Sequence, residues 1–163
     1  MNGPAGAAEQ VVDIAGGETI RYETIVPDAA SAASALGTAR RILRHLAAGD
    51  LEDAAVLSNA PKRRFEVLRD YRASVGEEEF KRVFARLLSA ERRSVREIAI
   101  GPHHLLVWDV RGADRELAAQ YYVNVEGRYF MDDVPGETRA QLMRVLRAWR
   151  EQRAAAKPSG GTD

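Results

Sequence analysis

The residues of this chain that can do chemistry sit mostly in its second half. Gly101-Pro102-His103-His104 is the one histidine cluster, and an imidazole there offers a general base or a metal ligand. Neighbouring residues on a strand point to opposite faces. His103 and His104 therefore cannot hold one ion together, and the third histidine, His45, lies far away on a helix. Too few ligands converge for a metal site, and the two histidines read as surface residues beside a turn. Asp109 shares strand parity with Leu105 and Val107. If that side lines a pocket, desolvation raises its carboxyl pKa and makes a general base of it. If Leu106, Trp108 and Val110 face inward instead, Asp109 pairs outside with Arg96 or Arg111. The second alternative is the more ordinary, because buried carboxylates are uncommon.

The same parity separates Asp132 from Asp133, so they cannot act as a dyad on one substrate. One is expected in solvent and the other as an acceptor near a strand end. Tyr121 shares a side with Ala119, Val123 and Val125, which suggests core or pocket wall. Tyr122 shares a side with Gln120 and Asn124, which suggests the outer surface or a hydrogen-bonding patch. Lys62-Arg63-Arg64 and Arg92-Arg93 are the densest basic spots, diluted by Glu66, Asp70, Glu91 and Glu97. They read as solvated helix surface, not as the sustained basic face that nucleic acid requires. The chain has no P-loop, no GxGxxG after a strand, no GxSxG and no HExxH, so no cofactor is expected.

The elements that position these residues follow from periodicity. Val11 to Val26 is two β-prone runs around Gly16-Gly17, a short hairpin. Leu36, Ala39, Ile42, Leu43 and Leu46 make a helical stripe over about 33–48, with Asp28 or Ser31 to cap it and Gly49 to end it. Asp50 caps a second, short helix. Asn59 caps a third, with Pro61 in its first turn, and it runs to Val75-Gly76. Glu77, Glu78 and Glu79 open a fourth, whose Phe80, Val83, Phe84, Leu87 and Leu88 form the cleanest stripe in the chain. Strands are expected over 95–100, 105–111, 116–126 and 128–134, and a last helix over 137–152, with Leu142, Val145, Leu146 and Trp149 on one face. Connections this short favour antiparallel neighbours. Residues 1–10 form a lead-in and 153–163 a tail, both expected to be disordered, around a single α+β domain over 11–152.

Composition agrees with one domain: 163 residues, 45% of them hydrophobic, are enough for a single core. Lys+Arg and Asp+Glu balance at 24 each, so no long-range field draws nucleic acid or an anionic membrane. The absence of cysteine excludes disulfides and thiolate chemistry. No apolar run approaches the ~20 residues that span a bilayer. The small, polar lead-in is like the stretch after a cleaved leader and points to the periplasm. A chain opening at Met1 without a leader points to the cytoplasm instead.

Two stretches carry a family likeness: Leu46-Ala47-Ala48-Gly49-Asp50-Leu51-Glu52-Asp53-Ala54-Ala55, a helix, Gly-Asp, helix corner, and Glu126-Gly127-Arg128-Tyr129-Phe130-Met131-Asp132-Asp133, a hairpin and final strand. Over about 36–134 the chain resembles the NTF2-like (cystatin-like cone) superfamily. The N-terminal hairpin, the adjacent third and fourth helices and the C-terminal helix depart from its pattern. The resemblance implies helices packed on a curved antiparallel sheet, with a cone opening into an apolar pocket. Some members are isomerases, dehydratases or hydrolases that use an Asp/His or Asp/Tyr pair there, and many only bind. The expectation is a non-enzymatic domain that binds a small apolar ligand, with Trp108, Tyr121 and Phe130 lining the pocket, and that forms a homodimer through the outer face of its sheet. The alternative is a cofactor-free isomerase, dehydratase or hydrolase with Asp109 as base, helped by Tyr121 or His104. A third reading makes the last helix a docking element, with Trp149 exposed on it.

Overall fold

The computed structural model describes residues 8–14, 16–90, 94–109 and 117–156. Two strands, β1 (Ala8–Ile14) and β2 (Glu18–Ile25), precede four helices: α1 (Ala35–Ala47), α2 (Leu51–Ala55), α3 (Pro61–Val75) and α4 (Glu77–Ala90). Then come β3 (Ser94–Ile100), β4 (His103–Asp109), β5 (Leu117–Val125), β6 (Arg128–Met131) and the last helix, α5 (Glu137–Ala156). The fold class is α+β, as expected: helices packed on one open, fully antiparallel sheet of order β1-β2-β3-β4-β5-β6. The N-terminal hairpin joins this sheet, because β2 pairs with β3 through Glu23↔Ala99, Thr24↔Ile98 and Ile25↔Glu97. The four helices are thus one excursion between neighbouring strands.

Both faces of the sheet are covered. Leu36, Ile42 and Leu46 of α1, Leu68 of α3 and Phe80 of α4 pack on Leu106 and Tyr122. On the other side, Leu142, Val145 and Leu146 of α5 are sealed against Ile98, Leu105, Val107 and the hairpin residues Val12, Ile20 and Tyr22. Each such aliphatic side chain contributes about 1.5–3 kcal/mol by leaving water. Arg144 ties α5 to the hairpin by donating Nη2 to Glu18 at 3.0 Å. Trp149 is packed and does not stand out as a docking residue. Its Nε1 donates to the Tyr22 hydroxyl at 3.2 Å, and the Arg96 guanidinium lies 5.5 Å from its ring centre. A second copy approaching the outer face would meet α5 first, since α5 lies over β1, β3 and β4.

Several ends differ from expectation for local reasons. Ala8–Gln10 belong to β1, and α5 continues four residues past Gln152. Ser34 is the cap of α1, accepting from Gly37 N at 2.9 Å, while Asp28 and Ser31 serve the turn before it. A Cβ at Gly37 would lie 2.0 Å from the Ser31 carbonyl oxygen, so this close approach requires glycine. Gly49 (φ 84°) ends α1 as expected, with Asp50 N donating to His45 O and Gly49 N to Leu46 O, the Schellman pair. That arrangement holds Asp50 at φ −91°, ψ 79°, outside the usual extended cap geometry, and its carboxylate makes no cap hydrogen bond. Asn59 does not cap α3 either. Ala60 stands at the cap position, with Pro61 beginning the helix.

Candidate functional site

Register decides which side each chemical residue occupies. Gly101 (φ 60°) fills the first central position of a two-residue turn, so β4 starts at His103, two residues before the expected Leu105. Both histidines are therefore strand residues. His104, Leu106 and Trp108 share the face under α1–α4. His103, Leu105 and Val107 share the face under α5. On β5 Tyr121 packs against the core on the α5 side, within the expected core or wall role, whereas Tyr122 is not the surface residue expected. Tyr122 is fully buried on the helix-covered side, its hydroxyl donating to Gln120 Oε1 at 2.9 Å. Tyr121 is half-buried on the α5 side, beneath the Arg139 guanidinium at 4.5 Å from its ring centre. The polar neighbours that marked Tyr122 as a surface residue are what satisfy it inside. Burial raises its phenol well above the ordinary range, with Asp133 adding to this and Arg64 opposing it. Burial also raises Tyr121, against the charges of Arg139 and Arg150.

Of the three expected pocket residues, Tyr121 and Phe130 lie on the α5 side and Trp108 on the other, so the structure does not bring the three together. Phe130 alternates with Tyr129 and Met131, which pack towards the helices, and Arg128 stands 5.4 Å over its ring. Asp109 is the last residue of β4, opposite Ser94 and Leu117. Its side chain, Val110, Arg111, Glu91 and Arg92-Arg93 lie outside the described residues.

Asp132 and Asp133 follow β6, which ends three residues earlier than expected, so strand parity does not reach them, and neither is the solvated residue expected: both accept hydrogen bonds. Residues 57–59 cover the outer edge of β6: Met131 N donates to Leu57 O at 2.8 Å and Asn59 N to Met131 O at 3.0 Å. Asn59 then donates Nδ2 to Asp132 Oδ1 at 2.8 Å and accepts from Asp133 N at 2.8 Å. Asp133 accepts from Ser58 Oγ at 2.5 Å and is clasped by both sides of the Arg64 guanidinium fork. Burial alone would raise its carboxyl. The hydrogen bonds of Arg64 and Ser58 and the charges of Arg64 and Arg139 outweigh that and hold it below the ordinary value. The same contact raises Arg64, so this part of the basic run is bound and not solvated. Asp132 is buried. Its Oδ1 also accepts from Val134 N at 3.1 Å, and its Oδ2 lies 3.3 Å from His103 Nδ1.

Two groupings escaped the sequence. Glu97 and His104 meet on the helix-covered face at 2.6 Å, both almost sealed from solvent. Tyr129 stands edge-on to that imidazole, with ring centres 4.9 Å apart. His104 is opposite Ala99, so Glu97 is its diagonal neighbour on β3. The register was readable once β4 was started at His103. Secondly, His45, Asp50 and Asp53 each turn a ligand atom to within 4.8 Å of the others. Among the described residues, these are the side chains grouped closely enough to hold a cation. A surface cavity of about 270 Å³ beside them is lined by Asp50, Glu52, Asp53, Phe65 and Arg72. The signal was the spacing His-x4-Asp-x2-Asp folded back by Gly49.

No family model, curated protein or solved structure matches this chain.

Proposed function

We propose that the protein is an NTF2-like ligand-binding domain that takes a small apolar ligand between its sheet and α1–α4. One observation carries this reading. Leu106, Tyr122 and Phe80 belong to the packed core on the helix-covered face, and Phe84, Val95 and Trp108 pack at its margin only partly buried. Val95 and Trp108 are register partners on β3 and β4. Partly buried apolar side chains at the margin of a packed core offer surface to an apolar guest. Trp108 supplies the largest apolar area at that margin.

The test is a titration of the full chain with the dye 1-anilinonaphthalene-8-sulfonate, following its fluorescence. The expected result is saturable binding that Trp108→Ala weakens roughly tenfold or more. Trp149→Phe, on the opposite face, should leave it unchanged. Equal binding by the Trp108→Ala variant and the unaltered chain, with both folded by circular dichroism, removes the reading.

A further inference from the structure

We propose that His103 is the general base of a second site, on the α5 side of the sheet, that hydrolyses small acyl esters. Asp132 is a carboxylate whose side chain is 3% exposed. Its Oδ1 is taken by Asn59 and Val134, which leaves Oδ2 for His103 Nδ1. A carboxylate only accepts, so Nδ1 carries the proton, and in the neutral imidazole the lone pair stands on Nε2. The His103 side chain is 32% exposed, so the imidazole is both oriented from behind and reachable from in front. Asp132 is itself fixed from two further sides, by Asn59 ahead of α3 and by Arg139 of α5, whose Nη1 donates to its carbonyl at 3.2 Å. A base held in this way needs no reorganisation before it takes a proton.

Register places apolar surface beside it. His103, Val123 and Phe130 are successive partners across β4, β5 and β6 on one face, and Tyr121 is the next residue of β5 on that face. Arg139 lies over the ring of Tyr121 and Arg128 over that of Phe130. The aromatic rings offer a platform for an acyl body, and the guanidinium groups offer positive charge to a developing oxyanion. The step balances with water as the only co-reactant. His103 Nε2 takes a proton from water as its oxygen bonds to the acyl carbon. The tetrahedral intermediate then expels the alkoxide, which receives that proton from Nε2, leaving a carboxylic acid and an alcohol. The site shares no residue with the margin around Trp108, so either proposal can fail while the other stands.

The experiment measures hydrolysis of p-nitrophenyl acetate by the full chain, with the histidine tautomers read in parallel by long-range proton–nitrogen NMR. The expected result is saturable turnover, with kcat/KM lowered roughly a hundredfold in His103→Gln. Asp132→Asn should lower it as well and move the His103 proton from Nδ1 to Nε2, a change that a purely structural role would not produce. If Asp132→Asn does not fold, His103→Gln and the tautomer in the unaltered chain decide the matter. Turnover that rises linearly with ester, that survives His103→Gln, or that accompanies an Nε2-protonated His103 overturns the proposal.

Discussion

Two adjacent histidines meet two carboxylates on opposite faces of one strand, and their surroundings separate what the pairs can do. Glu97–His104 is closed in beneath α1–α4, at 2.6 Å, with its ring against Tyr129. Asp132–His103 stands at 3.3 Å at the corner where β6 ends, its carboxylate buried and its imidazole one-third exposed. The donor and acceptor types are the same. The first pair is part of the core, where each member must satisfy the other. The second has one anchored member and one free edge, the arrangement a reacting group needs. Burial, rather than residue type, separates the two histidines: the His104 side chain is 7% exposed and that of His103 32%.

The strongest way to break this comparison is to remove Glu97. Glu97→Ala strands His104 in the core, which costs about 1–3 kcal/mol if the imidazole is neutral and about 3–5 kcal/mol if it is charged. Urea denaturation should show the midpoint falling accordingly. Replacing both residues by leucine should recover most of the loss, since apolar groups of similar volume leave no polar atom unpaired. A midpoint unmoved by Glu97→Ala would mean that the pair is not closed in, and the contrast with His103 would disappear.

The corner itself comes next. Asp133 binds Ser58 and Arg64 across more than 65 residues of chain. Asp133→Asn should cost about 1–3 kcal/mol near neutral pH. The sign of its pH dependence is fixed by the depressed carboxyl. Its folded pKa lies below the ordinary value of 3.8, so the unfolded chain takes up the proton first as pH falls. The stabilisation is complete above the ordinary carboxylate range and is lost as pH falls through the depressed folded value. Thermal unfolding of the unaltered chain and the variant should therefore converge only in acid. Convergence at neutral pH instead would show that the Arg64 clasp contributes nothing.

How much of this could be read beforehand depends on the range of the contacts. The stripes of α1 and α4, the Gly49 stop and the hairpin at Gly127 are local, and the order of helices and strands follows from them. Sheet parity was also local. It separated His103 from His104 correctly, whereas Asp132 and Asp133 lie beyond the end of β6, where strand parity no longer applies. Parity does not say that both sides are covered, and that is why Tyr122 was expected outside. The α5 helix takes an apolar face of its own, so the usual apolar-in, polar-out alternation is blurred along β4 and β5. The Glu97–His104 diagonal needed only the turn at Gly101 placed correctly. The links from Ser58, Asn59 and Arg64 to Asp132 and Asp133 join segments 69 to 75 residues apart, and no short-range pattern encodes them.

The smallest effect expected is also the one that sharpens the comparison most. His103→Gln removes a one-third exposed imidazole from a carboxylate that keeps its hydrogen bonds from Asn59 and Val134. A single hydrogen bond contributes about 0.5–1.5 kcal/mol net, so the stability loss should not exceed that range. Glutamine retains a donor of similar reach, which lowers the cost further. The denaturation midpoint of this variant should stay close to that of the unaltered chain while Glu97→Ala falls well below it. If His103→Gln unfolds as readily as Glu97→Ala, the corner histidine is a structural member like His104. Its exposed edge would then be incidental to the fold.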